Sequence, residues 1–127
     1  MKKFAAAAIK CYEEDEVLTV ALGDDFKNPS NFLVITRLDD EDNASVDDGI
    51  GLLTEYANYE MSGAISEVVL GLNSLEVVVK PEFTDFFGSL SIVAEFLPRS
   101  NELSINYLDL KQWLHDIFEG SNVNFVV

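Results

Sequence analysis

A chain of 127 residues, 48% hydrophobic and 11% aromatic, is long enough for a single domain over residues 1–127. It is too apolar for a disordered segment despite a net charge of −15. With eight basic residues against 23 acidic ones, the charge excludes direct binding to nucleic acid or an anionic membrane, because phosphate contacts need clustered Lys and Arg. A protein partner is expected to present a basic surface, and a homo-oligomer is compatible with the composition. The one cysteine, Cys11, makes no internal disulfide, which fits a reducing compartment.

Lys2, Lys3 and the run Phe4 to Ile9 imitate a secretory signal, but Lys10 ends the run short of the about 7 to 15 residues an h-region needs. A first strand is expected over 3–12 and a second over 16–23, separated by the acidic knot Glu13, Glu14, Asp15. In the second, Val17, Thr19 and Ala21 alternate with Leu18, Val20 and Leu22, so both faces are apolar and the strand is central. Paired Asp and Asn-Pro-Ser make 24–30 a loop, and NFLVITR over 31–37 is a strand. A long polar stretch follows, carrying Asp39, Asp40, Glu41, Asp42, Asp47 and Asp48, before a strand over 52–57.

The clearest element is the hairpin within 62–80. With Asn73-Ser74 as a two-residue turn, Leu72 faces Leu75, Leu70 faces Val77 and Val68 faces Val79 on one side. Gly71 with Glu76, Val69 with Val78 and Glu67 with Lys80 make up the other, and a bulge at Gly71 stays open. A slip of one residue exposes the aliphatic set, at roughly 1.5–3 kcal/mol per side chain. Pro81 ends the hairpin. A loop with Phe83, Phe86 and Phe87 leads to a strand over 89–96, broken by Pro98 to Asn101. Leu110, Trp113, Leu114, Ile117 and Phe118 then form one stripe of a helix, capped by Asp109 or, one turn earlier, by Asn106, and closed by Gly120. The stripe is expected to pack on the sheet, and the tail to add an edge strand or fray. The expected fold is α+β: a mostly antiparallel sheet of about seven strands with one C-terminal helix on one face.

Chemistry is sparse. His115 sits beside Asp116 on the helix, turned from the apolar stripe, and one histidine supplies neither a triad nor a zinc site. Counted as a calcium loop from Asp39, the acidic stretch has Ala44 where Gly is needed and Ile50 where the bidentate Glu is needed. Gly49-Ile50-Gly51 lacks the rest of a phosphate loop. No catalytic, metal-ligating or cofactor-binding residue is assigned, and no enzyme activity is expected. No apolar run approaches the roughly 18 residues of a membrane span, so the expected location is cytoplasmic.

Three segments in order, NFLVITRLDDED with Asp48-Gly49 after it, SGAISEVVLGLNSLEVVV, and LKQWLHDIFEG, resemble the tenth family of immunity proteins in bacterial polymorphic toxin systems. The chain departs at Ala64, where that family often has a second Gly. The resemblance implies a small cytoplasmic protein encoded beside a toxin, which it binds and neutralises without catalysis. About half the acidic residues fall in connections. If the first and third connections share a sheet end, Glu13, Glu14, Asp15 and Glu16 join Asp39, Asp40, Glu41, Asp42, Asp47 and Asp48 in one acidic rim. That rim is the expected contact for a cognate toxin domain with a basic surface, with Tyr56, Tyr59 and Phe86 as aromatic anchors. The alternative is a non-catalytic protein-binding or subunit module unrelated to toxins.

Overall fold

The computed structural model describes residues 1–97 and 107–127. The expected first strand, 3–12, is two strands in two different sheets. Strand β1 (Lys2–Ala6) hands over to β2 (Ala8–Glu14) at Ala7. The N–H of Leu97 bonds the carbonyl of Ala6 (3.2 Å), whereas the N–H of Ala7 bonds that of Gly23 (2.9 Å). Adjacent residues thus belong to different ladders. Ala6 and Ala8 are 0% and 4% exposed, so the alanine run supplies the small side chains that this tight seam between sheets demands.

The remaining elements are β3 (Val17–Gly23), β4 (Phe32–Leu38), β5 (Ile50–Thr54), β6 (Met61–Ser62), β7 (Ile65–Leu70), β8 (Ser74–Val79), α1 (Thr84–Phe87), β9 (Ser91–Phe96), α2 (Tyr107–Phe118) and β10 (Asn124–Val126). Among the described residues the architecture is therefore α+β with two five-stranded sheets, ordered β1-β9-β8-β7-β10 and β2-β3-β4-β5-β6. This replaces the single sheet of about seven strands. The second sheet is an antiparallel meander with β3 inside it, as its two apolar faces imply. In the first sheet β1 and β10 lie parallel to β9 and β7. The chain crosses between sheets a second time at Gly63, whose φ of 68° suits glycine. Its N–H still bonds Ile50 of the meander (3.0 Å), while the carbonyl of Ala64 already accepts from Lys80 beside β8 (2.8 Å).

The hairpin forms, but its turn is Leu72-Asn73. Gly71 N–H bonds Ser74 O (2.8 Å), and Leu70 faces Leu75 while Val68 faces Val77. Relative to the expected pairing the ladder moves by two residues. Parity is preserved and Val68, Leu70, Leu75, Val77 and Val79 all stay buried. Only Leu72 leaves the core, at 77% exposed. The irregularity lies between Ile65 and Glu67, not at Gly71.

The expected loop carrying Phe83, Phe86 and Phe87 is a turn of 3₁₀ helix from Pro81 followed by α1, ended by Gly88 at φ 73°. The strand expected at 52–57 is β5, which ends at Thr54 and leaves Tyr56 outside. Helix α2 starts at Tyr107, which places Asp109 in its first turn rather than at the cap. The Pro98 to Asn101 break and the Asn106 cap lie outside the described residues. Leu110, Leu114, Ile117 and Phe118 bury against the inward faces of both sheets in one core, and Phe118 meets Phe125 of β10 at 5.6 Å between ring centres. Among the described residues no helix is long and apolar enough to cross a membrane.

The new register makes a direct prediction. In urea denaturation Leu72→Asn should change stability by less than about 0.5 kcal/mol, whereas Leu70→Ala should cost about 2–5 kcal/mol.

Candidate functional site

In the meander the register sets Glu14 opposite Val17 and Val17 opposite Leu38. The β2–β3 turn therefore lies beside the exit of β4, and Glu13 to Glu16 share an end of the sheet with the connection 39–49. Glu13 and Glu14 belong to the β2 ladder rather than to a loop. Asp15 and Glu16 alone form the turn, with φ of 52° and 67°, the positive values a type I′ hairpin needs at both central positions. Aspartate tolerates this region, but glutamate does so at a cost. Glu13, Glu14, Asp15, Glu16, Asp39, Asp40, Glu41, Asp42 and Asp48 are exposed, and Asp47 is half-buried.

The connection 39–49 is held by its own acids. Asp40 accepts from Asp42 N–H (3.0 Å), Asp48 from Ala44 N–H (3.1 Å) and Asp47 from Asn122 N–H across from it (2.9 Å). Asn43 donates its amide to Leu38 O (3.1 Å). Beneath this end lies Arg37 of β4, its side chain only 13% exposed. Its Nε bonds Asp39 Oδ1 at 2.9 Å. One terminal nitrogen donates to the carbonyls of Asp116, Ile117 and Glu119 at 3.0, 3.1 and 2.7 Å. A cation thus occupies the C-terminus of α2, where carbonyls lack helical partners and the dipole is negative.

The aromatic trio is elsewhere. Strand β5 runs from Ile50, beside the rim, to Thr54, and Glu55 just after it accepts from Phe32 N–H at the far end of β4 (2.8 Å). Tyr59 and Phe86 meet edge to face at 5.1 Å, Phe86 meets Phe87 at 4.9 Å, and Tyr56 covers Gly88. The rings therefore gather roughly 15 Å from the rim, given a strand rise of about 3.3 Å per residue, and the expected joint surface of rim and rings does not form. At that far end Lys2 pairs with Glu55, and burial holds the Lys2 ammonium below its ordinary range. There Asp24 accepts from the side chain of Asn31 (2.9 Å) and from the N–H groups of Ser30 (2.9 Å) and Asn31 (3.2 Å). The Asn31 amide bond leads in keeping the Asp24 carboxyl below the usual range.

Trp113, which the helical pattern assigns to the core, packs against that core and also reaches the rim. Trp113 is half-buried and lines an open groove of about 220 Å³ with Glu13, Leu18, Asp109, Gln112 and Asp116. The signal was in the sequence: Asp109 and Asp116 lie four residues before and three after Trp113, on its own helical face. Cys11 is half-buried nearby, and burial, then the charge of Asp109, pushes its thiol up to about 12. His115, Asp116 and Glu119 bring donor atoms within 4.8 Å of one another, all exposed. Arg37 sits on the carbonyls of two of these residues, a fixed positive charge that opposes a cation there.

Neither a protein-family model nor a curated protein sequence matches the chain.

Replacing Arg37 by Met should lower stability by about 2 kcal/mol, because several charge-assisted bonds to α2 are lost together, and Lys should restore less than half, lacking the planar fork; thermal unfolding of both variants checks this. Cys11 titrates near its ordinary 9.0 in the unfolded chain and at about 12 in the folded one. Its contribution is thus complete below about pH 9 and is lost as pH rises toward 12. Urea midpoints at pH 8 and pH 10.5 should diverge more in the parent chain than in Cys11→Ala.

Proposed function

We propose that this chain is an immunity protein, which binds and neutralises a cognate bacterial toxin domain through its acidic end and performs no reaction of its own. The observation that carries the reading is the contrast between two sets of carboxylates. Asp24 and Asp25 spend their oxygens on N–H groups of their own loop. Glu13, Glu14, Asp15 and Glu16 stand exposed on a hairpin, where Glu16 holds a backbone conformation that glycine would adopt without strain. A carboxylate kept at a strained turn serves something other than folding. Many toxin domains act on nucleic acid through basic clefts, and dense carboxylates on a firm hairpin can occupy such a cleft in place of phosphates. Opposite charge speeds that encounter and sets its orientation.

The test uses the toxic domain encoded beside this chain. Co-expression should restore growth, and the purified pair should associate more slowly as added salt shortens the screening length from about 10 Å toward about 3 Å. Glu16→Gly should stabilise the free protein by about 1 kcal/mol while slowing association. Growth that stays arrested, or an on-rate indifferent to salt and to Lys at Asp40 and Glu41, would overturn the reading.

A further inference from the structure

The groove between the β2–β3 hairpin and α2 has a composition unlike the rest of the rim. It is lined by half-buried Trp113, by Leu18 and Gln112, and by the acidic residues Glu13, Asp109 and Asp116. At about 220 Å³ it falls below the roughly 300 Å³ at which small-molecule sites begin, and it suits one long side chain.

We propose that this groove receives an arginine side chain from the basic surface of the toxin, the guanidinium stacking on Trp113 and meeting Glu13 and Asp109. This rests on the reading above that the acidic end faces a basic protein, and it names the anchor of that contact. The chemistry selects the occupant. A divalent cation seeks six or more oxygen ligands and gains nothing from Leu18 or the indole. A guanidinium is weakly hydrated, stacks on aromatic faces and takes carboxylates in its plane, whereas an ammonium is a compact, strongly hydrated point charge. Tryptophan is the strongest aromatic partner for a cation. The charges around the groove are consistent with this. Arg37, opposite Leu18 in the ladder, is committed to Asp39 and to the carbonyls of α2. The carboxylate of Glu13 has no hydrogen-bond or ion-pair partner among the described residues. Asp116 has one oxygen held by Gln112 Nε2 at 2.9 Å.

Trp113 is the chain's single tryptophan, so its fluorescence reports on this groove alone. The intact protein is titrated with acetyl-Gly-Arg-Gly-amide, with its lysine counterpart, and with the citrulline peptide, which keeps the shape and removes the charge. The arginine peptide should shift the emission saturably and bind at least about threefold more tightly than the lysine peptide, with no saturable change from citrulline. Glu13→Gln should weaken the arginine peptide about fivefold, while the charge-matched change Glu82→Gln, at an exposed residue outside the rim, should leave it within a factor of about two. A flat titration, an equal response to citrulline, or indifference to Glu13→Gln overturns the groove assignment, even if the toxin is still neutralised. A saturable, charge-dependent titration supports the groove, and it does so whether or not growth is rescued, so the two readings fail separately.

Discussion

One guanidinium sets the shape of the acidic end. Arg37 reaches from the inward face of β4 to Asp39 at the start of the long connection and to the carbonyls of Asp116, Ile117 and Glu119 at the end of α2. A mostly buried cation survives only when its donors are satisfied and countercharge is close. Here the countercharge is a carboxylate together with the negative pole of a helix. The same bonds fix the angle at which α2 leaves the core and the point from which Asp39 to Asp48 depart. A surface built on such a framework meets a partner with less ordering still to be done, which conserves binding free energy.

Crowding carboxylates at one end raises self-repulsion, and the structure offsets it in two ways. Part of the acid is absorbed locally: Asp40, Asp47 and Asp48 accept backbone N–H bonds that shape the connection. The rest is carried on a core drawn from both sheets and α2, large enough to tolerate an unhelpful surface. The strained turn at Asp15 and Glu16 adds to the load on that core. The distinction between acids that fold the chain and acids left to solvent comes from hydrogen bonds, and composition alone does not reveal it.

What the sequence made legible was periodicity. Alternation identified the buried faces of β7 and β8, two apolar faces identified β3 as a central strand, and the helical stripe identified the buried face of α2. The hairpin shows the limit of that information, since a two-residue shift keeps every aliphatic on its face and only the turn geometry at Leu72-Asn73 decides between registers. The change of sheet at Ala7 left no local trace, because Ala5, Ala6, Ala7 and Ala8 continue one extended pattern while their hydrogen-bond partners lie on strands far along the chain. Gly63 was the better marker of a crossing, being a glycine between two strand-like runs.

The placement of rings follows the same logic and alters the picture of the candidate surface. The preference of interface hot spots for aromatic side chains puts Tyr56, Tyr59 and Phe86 at the rim, yet β5 carries Tyr56 and Tyr59 to the opposite end, where Tyr59 meets Phe86 of α1 and Tyr56 covers Gly88. Under the proposed reading, the acidic end still calls for an aromatic anchor. Trp113 supplies it from an element whose pattern read as core, because a residue at the border of an apolar stripe can pack one edge inward and still present a face to solvent. An acidic rim without such a ring would attract many cationic surfaces and discriminate poorly among them, whereas a carboxylate-edged aromatic slot adds a demand for shape that bulk charge cannot make.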